Sequence, residues 1–494
     1  WDEPESYGAG VANLRWLAAA LAGRPLPPWP WHELPGYQFA ADTVRAAVAG
    51  LADRLLWDPG SYLGFHLANL LFAALAVALV ARLAAREAGP IVAPLAATSL
   101  LLQPKLIAHA QANPKDVVAL LAWCVAVLAV ARAARRGGLL DYAVLGVGAG
   151  AAVASHVTAV LLAPLALLWV LGAGTGPPRR RALGLLVAGI VASMVTLLLW
   201  PWLWPDPWTR AAYLLHKLRT FDVPMQVLYL GRLWRPRELP WHYGMLSLAI
   251  ATPLPLLLAA GGGLLAAFRR GPATRLCRLA ALWLGLLLLA DLRAPARYDG
   301  ARHLLPALPA LALLAAGGIA DVATRLRAWR VRSPQRLAPR AVSRLFGAVA
   351  IGVPLLLAVQ LAAIHPYADA FLNAAARAWL GPEAQRRVEL ESWGGTYKEG
   401  AAWLLAHTPP DALVLVPIGP QAAAPFLAGR RELRPHDGDF DRRRPQYLML
   451  MAREAWYTPR ARRIVEGERP LFSIRRQGST LLAIYRVPPL PTSR

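Results

Sequence analysis

Of the chain's 494 residues, 56% are apolar and only 17% charged, with a mean hydropathy of +0.39. A soluble surface needs more charge than this and a disordered chain far fewer apolar groups, so both classes are excluded in favour of a membrane protein. The net charge of +24 is almost all arginine, in short clusters between apolar runs rather than on one basic face or beside an aromatic RNA-binding motif, which excludes a nucleic-acid partner.

A hydrocarbon core of about 30 Å needs about 20 helical residues. In chain order the apolar runs place spans at 62–85, 91–107, 117–133, 139–154, 157–173, 183–203, 244–268, 276–291, 304–323 and 345–364. The run 139–173 is divided at Ser155-His156, where a polar pair interrupts two helix lengths. With that division Arg82 and Arg86, Arg132 to Arg136, Arg179 to Arg181, Arg269 to Arg278 and the basic stretch 325–344 all fall on one side, cytoplasmic by the positive-inside rule. The other side receives 1–60, the short loop 104–116, the Trp-rich loop 204–243, the loop 292–303 and everything after 365. The chain opens at Trp1 with no apolar helix before an outer segment, so a first span is expected upstream.

After residue 365 the pattern changes. Residues 396–407 read as an amphipathic helix, 412–418 and 447–452 as short buried strands, and 471–476 with 480–487 as a hairpin around Gln477-Gly478-Ser479. The expected fold is an α-helical polytopic membrane protein, with a multi-span domain over 1–364 and a small extracytoplasmic α/β domain over 365–494.

Three outer constellations could carry chemistry. Asp2 and Glu3 form an acidic pair at a membrane edge, suited to accepting a hydroxyl proton; the competing reading is an N-cap for a helix over 7–21. His109, Asn113, Lys115 and Asp116 crowd one short loop, where Lys115 suits a phosphate and Asp116 is a second acid; the alternative is a tight turn with Asp116 as helix cap. Tyr298, Asp299, Arg302 and His303 stand before another apolar run and could hold an anion; the alternative is Arg302 snorkelling to headgroups. His156 reads as a cavity residue or a buried histidine bonded to a neighbouring helix. His32, His216 and His242 lack partners at metal-ligand spacing, so no metal is assigned and a divalent cation has no support in the sequence. No cofactor is expected.

Together the motifs resemble the GT-C membrane glycosyltransferases, in particular the protein O-mannosyltransferase and aminoarabinose transferase group. The likeness rests on Asp2-Glu3, Asn113-Pro114-Lys115-Asp116, Pro240-Trp241-His242-Tyr243 with Thr252-Pro253-Leu254, and Tyr298-Asp299-Gly300-Ala301-Arg302-His303. His365-Pro366-Tyr367 with Asn373, and Trp393-Gly394-Gly395-Thr396-Tyr397-Lys398-Glu399, complete the ordered set. Alanines follow Asn373 where the family pattern has a glycine pair.

The resemblance implies inverting transfer of a hexose or pentose from a polyprenyl-phosphate carrier to a protein, lipid or glycan acceptor, at the outer face of a bacterial inner membrane. It carries Asp2 over as the base with Glu3 beside it, Asp116 and Lys115 as the acidic and basic residues of the second loop, with Lys115, Arg302 and His303 near the donor phosphate. A lipid or sugar transporter, or flippase, is the alternative; it would place its charges near the bilayer midplane and is disfavoured by the lack of inverted repeats or paired broken helices in the sequence. A scaffold subunit would need neither arrangement.

Overall fold

The structure is a computed structural model that describes residues 3–25, 39–56, 63–332, 339–390, 393–427, 429, 432–433 and 444–488. Among the described residues fifteen α-helices run to residue 364. The first eight are α1 (Glu3–Leu21), α2 (Phe39–Leu56), α3 (Leu63–Ala88), α4 (Ala93–Leu101), α5 (Pro104–Ala112), α6 (Asp116–Arg136), α7 (Leu139–Ser155) and α8 (Leu162–Ala173). They are followed by α9 (Pro178–Leu199), α10 (Pro207–Thr220), α11 (Tyr243–Ala251), α12 (Leu254–Ala267), α13 (Thr274–Asp291), α14 (Leu308–Arg332) and α15 (Pro339–Ile364). α6 is the axis of the bundle: Val117, Leu120, Trp123, Val127 and Val130 are buried on it, and Trp123 stacks on Trp283 of α13 with centroids 6.0 Å apart. α9 and α15 turn Ile190, Met194, Leu198, Ile351 and Leu355 outward, the pattern of lipid-facing helices.

Five helices among the described residues are long and apolar enough to cross a membrane, and seven if two bent pairs are each one span. The helix does break at His156, whose φ of −158° and ψ of 128° are extended. Two runs read from the sequence as single spans are broken instead. The run 91–107 parts into α4 and α5, bent by 62°, and 244–268 parts into α11 and α12, bent by 118°. Proline explains both, since Pro104 and Pro253 follow the breaks and lack the N–H that would continue the helix. The expectation that no paired broken helices occur is therefore corrected.

A broken helix leaves carbonyls without partners, and in a membrane these must be satisfied from within the protein. Gln103 Nε2 donates to Ser99 O and, across the bundle, to Leu308 O, each at 3.2 Å. At the sharper break Asn373, from the chain beyond the last span, donates Nδ2 to Ala249 O at 2.8 Å and Thr252 O at 2.9 Å. Its backbone N–H reaches Ile250 O at 2.9 Å. α12 then packs against α14 through glycine: a Cβ at Gly318 would stand 2.3 Å from Ala259 O, and one at Gly263 2.0 Å from Leu314 O. Only glycine permits that approach.

Strand pairs are few. β1 (Val227–Tyr229) and β2 (Arg232–Trp234) make a hairpin in the long loop after α10, and Tyr229 bridges to Val388. After residue 410 a five-stranded sheet forms from β3 (Val414–Leu415), β4 (Glu432–Leu433), β5 (Tyr447–Met451), β6 (Phe472–Arg476) and β7 (Ser479–Arg486). Its order is β4-β3-β5-β7-β6, with β3 parallel to both neighbours and β7 antiparallel to both of its own. The helix Tyr397–His407 lies on the sheet, with Gly400 against Met449 and Leu482.

Candidate active site

The turn before α6 is made by Asn113. Its Oδ1 accepts the backbone N–H groups of Lys115 (3.0 Å) and Asp116 (3.1 Å), the work expected of a cap. Asp116 is thereby released from capping and its carboxylate turns into the protein, where its side chain is 6% exposed. Asp116 Oδ2 accepts from Asn113 Nδ2 at 2.6 Å and from Arg302 Nε at 2.8 Å, while Oδ1 lies 3.6 Å from His156 Nε2. His156 is aimed by the helix break, its Nδ1 2.7 Å from Thr158 Oγ1. His109, on the face of α5 above, pairs its Nδ1 with Asn113 Nδ2 at 2.8 Å.

Arg302 does not snorkel. Its Nη1 donates to Asp299 Oδ2 at 2.9 Å, so two carboxylates hold one guanidinium, which also lies 5.0 Å from the centroid of the Trp393 ring. His109 meets the same ring edge-on at 5.7 Å. Asp299 reaches this position because Asp299 and Gly300 both take left-handed φ values, 54° and 60°, and Gly300 N–H donates to the Tyr243 hydroxyl at 2.8 Å. The adjacent Arg297 is structural: it donates to Asp291 O, Leu239 O and Leu292 O, closing the end of α13.

The other oxygen of Asp299 is bonded by Arg453, which follows β5 and also lies 3.4 Å from Glu389 Oε2. Burial would raise the Asp299 carboxyl, but Arg453 and Arg302 outweigh it and hold the group below the usual carboxylate range. For Glu389 burial wins over Arg453 and the carboxyl is raised. Burial opposes the charge on Arg453, yet Glu389 and Asp299 keep its pKa raised. A row of alternating charges thus runs from the sheet into the bundle, from Glu389 and Arg453 through Asp299 and Arg302 to Asp116 and His156.

Of the residues singled out from sequence, His109, Asn113, Asp116, His156, Asp299 and Arg302 come together here. His303 and Tyr298 border the group, with ring centroids 4.7 Å apart. His303 Nε2 is buried without a partner among the described residues. Lys115 is half-buried, and its charge is felt at Asp42 of α2, a carboxyl raised to about 6 by burial against the opposing pull of Arg45 and Lys115. Asp2 and the side chain of Glu3 lie outside the described residues. Helix α1 does begin at Glu3, and it runs antiparallel to α2, with Asn13 bonded to Phe39 O and Gly10 against Asp42.

Sequence reasoning missed Lys105, Asp369, Glu389 and Arg453. Lys105 Nζ stands 2.6 Å from Asp369 Oδ1 and helps line a small cavity bordered also by Tyr243, Gly300 and Glu389. Lys105 was read as part of an apolar span, and a charge inside such a run was the available signal. Arg453 carries no local signal. Among the described residues no three His, Cys, Asp or Glu side chains are placed to share a metal ion.

Residues 59–203 match the family model described as dolichyl-phosphate-mannose-protein mannosyltransferase. The matched stretch makes up less than a third of the chain. It contains His109, Asn113, Lys115, Asp116 and His156, whereas Arg302 and Arg453 lie beyond it. No curated protein matches the chain in sequence. Among solved structures the chain is similar to ArnT from Cupriavidus metallidurans in the apo state, at 14% identity over 97% of this chain and 93% of that one, with a TM-score of 0.48. The same protein bound to undecaprenyl phosphate gives 14% identity over 89% and 87%, with a TM-score of 0.46. The archaeal oligosaccharyltransferase AglB from Archaeoglobus fulgidus, in complex with an inhibitory peptide and a dolichol-phosphate, gives 11% over 91% and 67%, with a TM-score of 0.46.

Proposed function

We propose that the protein transfers a sugar from a polyprenyl-phosphate carrier to an acceptor hydroxyl at the extracytoplasmic face of a bacterial inner membrane, inverting the anomeric carbon. The observation that carries this reading is the buried junction of Asp116, Arg302, Asp299 and Arg453 at the first residue of α6. The arginine clusters gather at the other end: Arg135 and Arg275 share Glu87, Arg269 lies near Asp321, and Thr175 bonds Arg135 O. The positive-inside rule then makes the Asp116 end extracytoplasmic. The matched family is described by a lipid-phosphate-linked mannose donor and a protein acceptor, which fits this chemistry.

In the proposed reaction the acceptor oxygen bonds the anomeric carbon while the carbon–oxygen bond to phosphate breaks, its electron pair leaving with the phosphate. The acceptor proton passes to Asp2, with Glu3 as its neighbour. Arg302, and Lys105 at the rim of the cavity, offset the charge that grows on the departing phosphate. Asp116, chosen from sequence as a reacting acid, is better suited to orienting Arg302 and His156, because both of its oxygens are engaged. Reaction in one displacement at a fixed base is what produces inversion.

The two broken helix pairs favour the transporter reading. The position of the charges opposes it, for they cluster at the end of α6 rather than midway along it. Purified protein in lipid nanodiscs, given polyprenyl-phosphate-linked hexoses and pentoses with hydroxyl acceptors, should release polyprenyl phosphate and form product of opposite anomeric configuration. Movement of labelled lipid across vesicle bilayers, with no transfer from any donor, would overturn the proposal in favour of a flippase.

A further inference from the structure

Opposite the junction at Asp116 the bundle carries a second built feature. α6 has 21 residues, so at about 1.5 Å per residue its far end lies about 30 Å away. There an open groove lies between α8 and the start of α13, lined by Arg269, Arg270, Arg275, Arg278, Leu168 and Trp169.

The groove holds an excess of positive charge. Its four lining arginines, Arg269, Arg270, Arg275 and Arg278, have only Glu87 and Asp321 as carboxylate partners among the described residues, and share these with Arg135 and Arg325 outside the groove. Glu87 accepts from Arg135 at 3.0 Å and from Arg275 at 2.8 Å; Asp321 is 2.7 Å from Arg325 and 3.8 Å from Arg269. Arg270 pairs with no carboxylate among the described residues. Arg275 is held in place by Glu87, by Ala173 O at 3.1 Å and by the Trp169 ring at 5.4 Å, yet its Nη2 is buried with no hydrogen-bond partner among the described residues. Arg278 is fixed through Nε on Ala267 O at 2.7 Å. A buried, unsatisfied guanidinium nitrogen beside a surplus of fixed cations is the donor set of an anion site.

The opposite wall names the kind of anion. Leu168 lines the groove while 53% exposed, and it lies on the apolar helix α8 with Leu167 and Leu171 also exposed. A ligand with a phosphate among the arginines and hydrocarbon along α8 satisfies both walls. We propose that this groove binds the headgroup of an anionic membrane phospholipid. The site is separate from the junction at Asp116, and the proposal does not depend on the transferase reading.

The test is native mass spectrometry of the delipidated full-length chain, titrated separately with phosphatidylglycerol, phosphatidylcholine, polyprenyl phosphate and inorganic phosphate. Phosphatidylglycerol should bind in preference to the other three. Arg270→Gln/Arg278→Gln should weaken its binding by about thirtyfold, as expected from losing two basic contacts at a headgroup. Arg270→Gln alone removes a side chain with no carboxylate partner, so it tests the site without disturbing the fold. Arg82→Gln/Arg179→Gln, two exposed arginines outside the groove, should bind as the parent does. Undiminished binding by both groove variants, or equal binding of phosphatidylcholine, would overturn the site. Preference for polyprenyl phosphate or inorganic phosphate would overturn the assignment to a phospholipid.

Discussion

Replacing Arg453 with methionine tests whether the sheet organises the junction in the membrane bundle. The Arg453 side chain is 3% exposed, and its loss would leave Asp299 and Glu389, 10% and 4% exposed, without the cation between them. Removing one partner of a buried ion pair costs about 3–5 kcal/mol. Arg302 retains one bond to Asp299, so the lower part of that range is expected. The assay is urea or thermal unfolding of purified protein across pH, with sugar transfer measured in parallel. Asp299 is held below its ordinary value, so its stabilisation is present above about pH 4, the usual aspartate range, and is lost as pH falls through the lowered folded value. Losing Arg453 raises both the Asp299 and the Glu389 carboxyls in the variant, so the gap between parent and Arg453→Met should be widest at neutral pH and shrink as pH falls through the carboxylate range. Adding Asp299→Asn to Arg453→Met should cost less than Asp299→Asn does in the parent, the signature of coupled groups. A variant with unaltered unfolding and transfer at pH 7, or a gap that stays constant into acid, would refute the reasoning.

Four further outcomes can be checked. Asp2→Asn should lower transfer by about 10²–10⁴-fold if Asp2 is the base, whereas a helix cap would leave rate and stability nearly intact, since asparagine caps as well. Arg302→Lys keeps the charge but loses the fork that meets Asp116 and Asp299, so donor use should drop about tenfold or more while the protein still folds; equal turnover and donor affinity would contradict the assignment. Asn373→Ala leaves Thr252 O unsatisfied at the break between α11 and α12, and Ala249 O with only the 3.4 Å bond from Thr252 N–H, a loss of about 1–3 kcal/mol read as a lower unfolding midpoint. A membrane-impermeant thiol reagent applied from outside should modify Asp411→Cys and spare Arg179→Cys, both exposed positions; the reverse pattern would invert the topology.

Much of this protein is legible from composition and periodicity. Apolar runs and arginine spacing locate the helices and gather the basic loops at one end, because the cost of desolvating a charge is paid wherever it occurs along the chain. The same patterning marks the break at His156, and alternation with turn residues marks the hairpin of β6 and β7. Short motifs pick out His109, Asn113, Asp116, Asp299 and Arg302, since polar groups at the margins of apolar runs need a partner or a use.

Only the tertiary structure decided which charge answers which. Asp116 and Arg302 are 186 residues apart, and Asp299 and Arg453 are 154 apart, distances over which no local pattern operates. Although Pro104 and Pro253 stand in the sequence at both, hydropathy does not show the sharp breaks after Leu102 and at Thr252, because a broken helix and a straight one score alike. They differ in where the freed carbonyls find donors, and those donors, Gln103 and Asn373, are placed by packing. Hydrophobicity is read one residue at a time, so it sorts the chain into membrane and loop. Hydrogen bonds and ion pairs are satisfied two residues at a time in three dimensions, so the site belongs to the fold.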